Sequence, residues 1–93
     1  MGRLPVNLQV NVIVIDPRNP KNVYAAGPAG IVFSTNAGLT WQTRNAGLNP
    51  ANFTALTLNP QQPDTLFAMT AEGALYRSDD GGRKWKSVST TTP

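Results

Sequence analysis

The chain contains neither cysteine nor histidine. No disulfide can therefore brace its core, and no thiolate can act as nucleophile or metal ligand. Losing both residue types also removes the usual zinc sites, Ser-His-Asp triads and Cys-His dyads from any single chain. Charge is scarce, at 14% of residues, while hydrophobic residues make up 40%. That balance excludes both a disordered chain and a charge-laced helical one. No apolar run approaches the roughly 20 residues of a membrane-spanning helix, and residues 1–9 show no apolar stretch of the signal-peptide kind. What the chain has in quantity is punctuation: eight Gly and eight Pro among 93 residues, which break long helices and favour short strands joined by turns. The length suits one ordinary domain with a modest core.

The net charge of +3 comes from Lys and Arg spread along the chain. Only Arg83, Lys84 and Lys86 cluster, on either side of Trp85. Nucleic-acid binding needs a stripe of phosphate neutralisers with exposed stacking aromatics, and one short basic turn is not that. Neither a nucleic acid nor a membrane is expected as a partner.

The sequence repeats itself. Pro17 and Pro60 lie 43 residues apart, as do Pro20 and Pro63, Ala25 and Ala68, and Gly30 and Gly73. One extra residue near Ala74 makes the spacing 44, which pairs Ser34 with Ser78, Gly38 with Gly82 and Trp41 with Trp85. Two units result, 10–44 and 53–88, with a lead segment at 1–9, a linker at 45–52 and a tail at 89–93. Each unit predicts four short strands, at 10–15, 22–26, 31–34 and 41–44 in the first and at 53–58, 65–69, 75–78 and 85–88 in the second. The short spacers force antiparallel meanders, because a parallel crossover needs about a dozen residues or more. The first strand of each unit is apolar on both faces, and the last is polar apart from its Trp and one Val. A four-stranded sheet with a covered inner strand and a wet outer one is a propeller blade, and a repeat of about 40–45 residues is the size of one. Val12, Ile13, Ile15, Leu56 and Leu58 are the expected inter-blade core.

The segment Ser78-Asp79-Asp80-Gly81-Gly82-Arg83-Lys84-Trp85 resembles the Asp-box, or bacterial neuraminidase repeat, with its pattern S-x-D-x-G-x-T-W. In the first unit Ser34, Gly38, Thr40 and Trp41 hold the same places, with Asn36 where the pattern has Asp; the second unit has Lys84 where it has Thr. The resemblance implies sialidase-like β-propeller blades. In them Ser34, Asn36, Gly38, Thr40, Trp41, Ser78, Asp80, Gly82 and Trp85 are structural turn locks, remote from any active site. Such blades occur in sialidases, xyloglucan-cleaving glycosidases, the sortilin ectodomain and photosystem assembly factors, so they name a fold and not an activity. Physically, Asp or Asn accepts backbone N–H bonds and holds the turn, and the Trp folds a large apolar surface back onto the blade.

No catalytic set is apparent. A sialidase needs an arginine triad, a Tyr-Glu pair and an acid, whereas the one Glu, Glu72, sits at an expected hairpin tip. A glycosidase needs two carboxyls about 5–9.5 Å apart, and Asp16, Asp64, Asp79 and Asp80 are scattered over turns. No catalytic, cofactor-binding or metal-binding residue is assigned, no cofactor is expected, and the chain is not expected to be an enzyme. Two blades leave two apolar faces bare, and such faces drive association. The expectation is a cyclic homo-oligomer, with a six-bladed trimer preferred over a tetramer or pentamer. Its function is read as a self-assembling structural scaffold without intrinsic chemistry, from a fragment or a designed building block. The alternative is a lectin-like module with a glycan or protein ligand, and a glycosidase comes last.

Overall fold

Gly-, Pro- and Asn-containing turns separate every apolar run from the next, so each run can pair only with its sequence neighbours. The computed structural model describes residues 9–88, and their topology follows that constraint. The first sheet holds β1 (Val12–Ile15), β2 (Val23–Gly27), β3 (Gly30–Ser34) and β4 (Gln42–Thr43). The second holds β5 (Phe53–Asn59), β6 (Gln62–Thr70), β7 (Leu75–Ser78) and β8 (Lys86–Val88). Each sheet keeps sequence order and every pair is antiparallel. No helix occurs among the described residues. The expected lead segment and tail lie outside the described residues, apart from Gln9.

Several strand limits differ from the expectation. β1 begins at Val12, and Asn11 just before it turns its side chain to the second sheet, donating to Asn52 Oδ1 and to the Phe53 carbonyl at 2.8 Å each. β6 begins earlier, at Gln62, because the β5–β6 hairpin closes on an Asn59–Gln62 pair. Pro63 is tolerated there: a register shift separates that pair from Leu58–Leu66, and β7 pairing starts only at Leu66. Trp41 and Trp85 precede the outer strands rather than opening them.

Cross-strand register sorts the side chains into rows. In the first sheet Val12, Ala26 and Ile31 form one row and Val14, Tyr24 and Phe33 another. Strand alternation puts both on one face. In the second sheet the rows are Leu56, Ala68 and Tyr76, then Leu58, Leu66 and Ser78. These two faces meet, and together with Phe53 and Trp85 they form the core. Tyr24 stacks on Phe33 at 4.5 Å between centroids, and Phe53 approaches Tyr76 at 5.9 Å. Aromatic pairs at these separations add to what area burial alone contributes.

Within the single chain only part of the expected inter-blade core is in contact. Val12, Leu56 and Leu58 belong to the contact, but Ile13 and Ile15 do not. They point to the opposite face of β1 and are 45% and 52% exposed. Val14, one residue between them, packs on the core in their place. Within the chain, β1 is thus covered on one face and not on both.

The junction between the sheets is fastened at Trp85. Its backbone N–H donates to the Ala46 carbonyl at 2.9 Å and its indole N–H to the Arg44 carbonyl at 2.8 Å. Both acceptors lie just past β4, so the outer strand of the second sheet is tied to the end of the first. Gly47 permits this approach, since a Cβ there would stand 2.1 Å from the Trp85 carbonyl oxygen. Trp41 has no such setting among the described residues. It is only part-buried, and its indole N–H donates to Gly38 of its own turn at 3.1 Å. Replacing Trp85 with Ala should cost about 3–5 kcal/mol, as loss of a core aromatic does, read from urea unfolding; a cost under about 1 kcal/mol would show that the junction does not depend on the indole.

Candidate functional site

The two ends of the stacked sheets differ in chemistry. One carries the β1–β2 and β5–β6 turns with the β3–β4 and β7–β8 turns, joined by Ala37 N–H to the Lys21 carbonyl and Gly81 N–H to the Asp64 carbonyl, at 2.9 Å each. The Arg18 guanidinium crosses from the first sheet to the Gln61 carbonyl of the second.

At this end each unit builds the same turn. Ser34 Oγ donates to Asn36 Oδ1 at 2.8 Å and accepts Gly38 N–H at 2.8 Å, while Thr40 N–H donates to Asn36 Oδ1 at 2.9 Å. In the second unit Ser78 Oγ donates to Asp80 Oδ1 at 2.8 Å and accepts Gly82 N–H at 2.9 Å, and Lys84 N–H donates to Asp80 Oδ1 at 2.9 Å. Ser34 and Ser78 are both buried, at 1% exposure. The Ser78 hydroxyl and then the Lys84 N–H hold the Asp80 carboxyl below its ordinary value. These bonds use up the Asp80 Oδ1 acceptor. Both turns need a left-handed residue before Gly38 or Gly82: Ala37 has φ of 62°, where Gly81 has 73°.

Arg44 bridges the sheets beside these turns. Its guanidinium lies 4.3 Å from the Phe33 ring centroid and donates to the Gly81 carbonyl at 3.2 Å. Burial, then Arg83, pulls its pKa below the usual arginine value. Burial chiefly raises the pKa of Tyr24. Asp79 accepts from Arg77 Nε at 3.0 Å in an exposed pair, which is worth little to stability.

The other end carries the β2–β3 and β6–β7 loops and the linker. Four carboxamides stand at this end: Asn11 and Asn52 bonded to each other, Asn45 accepting Ile31 N–H at 2.8 Å, and the exposed Asn49. Ala71 N–H donates to the Asn52 carbonyl at 2.9 Å, which brings the Glu72 loop beside the start of β5. Glu72 is the one charged side chain on these loops and linker turns among the described residues. A hollow of about 110 Å³ opens here between Gly30, Asn45, Leu48, Asn49, Pro50 and Phe53. Sequence reading passed over these asparagines because they lie in the linker and before β1, outside the matched motifs. Their concentration at 45–52 was the available signal. No group of three metal-ligating residues occurs among the described residues, and no two carboxylates share the loop end.

No family model and no curated protein sequence matches the chain. Among solved structures it is similar to the crystal structure of an ancestral GH74 enzyme, at 18% identity and a TM-score of 0.79. The match covers 94% of this chain and 13% of the enzyme, so the chain spans a small part of that protein's length. The all-β, propeller-like fold is thereby shown. The expectation of a self-assembling scaffold without chemistry is corrected by the same finding: the fold it shares is that of an enzyme.

An alanine with positive φ is strained and glycine is not, so Ala37→Gly should raise stability by about 0.5–1 kcal/mol in thermal unfolding. A carboxyl whose pKa is lowered on folding adds stability above its unfolded value, near 3.8 here, and that stability is lost as pH falls through the folded value. Asp80→Asn, which keeps the Oδ1 acceptor as Asn36 does, should hold near-neutral stability and flatten the urea midpoint between about pH 5 and pH 2. Asp80→Ala should lose about 1 kcal/mol at neutral pH.

Proposed function

We propose that the two sheets are neighbouring blades of a glycan-acting β-propeller, with the repeated turns as its Asp-boxes and further copies of the chain completing the ring. Three chains giving six blades is the preferred closure. The exposed Ile13, Ile15 and Met69, on faces that no described element covers, support completion by other copies, since apolar patches of this kind drive association.

The observation that carries the glycan reading is the composition of the loop end: Asn45 and Asn49 line a hollow, Asn11, Asn52 and Glu72 lie at the same end, and no Lys or Arg stands on these loops among the described residues. Carboxamides donate to and accept from sugar hydroxyls, and among the described residues these loops carry no Lys or Arg to pair with an acidic sugar. The ligand class is therefore a neutral polysaccharide. Hydrolysis requires two carboxyls about 5–9.5 Å apart, and one chain brings only Glu72 to this end. The isolated chain is accordingly proposed not to hydrolyse glycan.

Light scattering of the chain should return the mass of a small closed multimer, the trimer first; a folded monomer at micromolar concentration would overturn ring completion. In native gels containing xyloglucan, the assembled protein should be retarded, and Asn49→Ala or Glu72→Gln should weaken retardation without changing mass. No retardation in xyloglucan, or stronger retardation by a polysialic acid gel, overturns the neutral-glycan reading.

A further inference from the structure

The two outward faces repeat the two faces that already meet. By the internal repeat, the contacting rows of the first sheet (Val12, Ala26, Ile31 and Val14, Tyr24, Phe33) recur in the second as Ala55, Met69, Leu75 and Thr57, Phe67, Arg77. Those residues lie on the outward face of the second sheet, where Ala55, Phe67, Met69 and Leu75 edge an apolar depression of about 160 Å³. The contacting residues of the second sheet, Leu56 and Leu58, recur in the first as the exposed Ile13 and Ile15.

The two tryptophans make the incompleteness specific. Trp85 is 3% exposed, packed beside Gly82 and Tyr24 and bonded to the Arg44 carbonyl. The equivalent Trp41 is part-buried and bonded within its own turn. In the repeat, Tyr24 corresponds to Phe67 and Arg44 to Val88. Residues like those that enclose Trp85 thus exist on the outward side of the second sheet, where Trp41 of the same chain is not. A side-chain exchange fits this pairing. A methyl at Gly81 would lie 3.4 Å from the Tyr24 hydroxyl; the first unit carries that methyl, Ala37, and Phe67 carries no hydroxyl.

We propose that copies of this chain dock head to tail in the register of the internal contact: the Phe67–Met69 face of one copy seats on Ile13 and Ile15 of the next and encloses its Trp41, whose indole N–H passes from the Gly38 carbonyl to the partner subunit's Val88 carbonyl. The proposal rests on ring completion, and fixes which faces meet and in which order. A heterologous contact of this kind is self-propagating until the rotation closes.

Two variants that each block one face test the order. Met69→Asp closes the face of the second sheet, and Ile13→Asp closes that of the first. Either variant alone should be monomeric by light scattering, and an equimolar mixture should give a heterodimer that grows no further, because each partner has one open face. A monomeric wild type overturns this docking together with ring completion. If the wild type assembles but a single variant assembles with it in the same way, or the mixture stays monomeric, the face assignment fails while ring completion stands. Circular dichroism of each variant reports whether it folds. A readout that needs neither charge uses Trp85→Phe, which leaves Trp41 as the sole indole. Its acrylamide quenching constant should fall several-fold over the concentration range in which mass rises. Equal quenching of the dilute and assembled protein overturns the enclosure of Trp41.

Discussion

Two hydrogen bonds from one residue set the geometry on which the rest of the structure depends. Trp85 donates its backbone N–H and its indole N–H to the carbonyls of Ala46 and Arg44, and so joins the outermost part of one sheet to the exit of the sheet before it. The indole is held by both ends, its ring against apolar neighbours and its polar atom on a carbonyl, which is how a large aromatic is buried without stranding a donor. No buried side-chain nitrogen or oxygen among the described residues lacks a partner. Once the outer strand is fixed, the angle between the sheets is fixed too, and Tyr24, Phe33, Leu66 and Tyr76 can interdigitate in a single arrangement.

The division of labour between the two ends follows from that stacking. The turn end is occupied with holding itself together: the Asn36 and Asp80 Oδ1 atoms and both Ser hydroxyls are committed to backbone or side-chain partners. The loop end is lined by groups with capacity to spare. Asn49 is exposed, and a carboxamide can make more bonds than Asn45 makes with Ile31. Rigid turns behind and adaptable polar loops in front are the usual arrangement for a site carried on a scaffold.

Much of this was legible in the residues. The 43-residue period, the Pro and Gly punctuation and the Ser-x-Asn/Asp-x-Gly signature specified two antiparallel four-stranded sheets, because short spacers leave the chain one way to fold back. What the sequence left open was which face of β1 turns inward. Val12, Ile13, Val14 and Ile15 are all apolar, so alternation gives no sign, and only the position of the second sheet decides in favour of Val12 and Val14. The unequal burial of Trp41 and Trp85 was illegible for a related reason. Their motifs match, but the groups that enclose Trp85 come from the preceding blade, some 40 residues away in sequence. The loop-end asparagines were overlooked because they recur in neither motif copy, and their convergence depends on Asn11 reaching across to Asn52.

The two turns also differ in how they meet chemical ageing. Direct hydrolysis of an asparagine amide gives aspartate, and in most settings that plants an unwanted negative charge. At Asn36 the product would be the residue that already stands in the second turn. Its Oδ1 would still accept from the Ser34 hydroxyl and the Thr40 N–H, and the Thr40 hydroxyl, which now accepts from Asn36 Nδ2, can rotate to donate instead. Where the Asn36 amide is hydrolysed directly, the first turn thus keeps its bonds and takes on the chemistry of its twin.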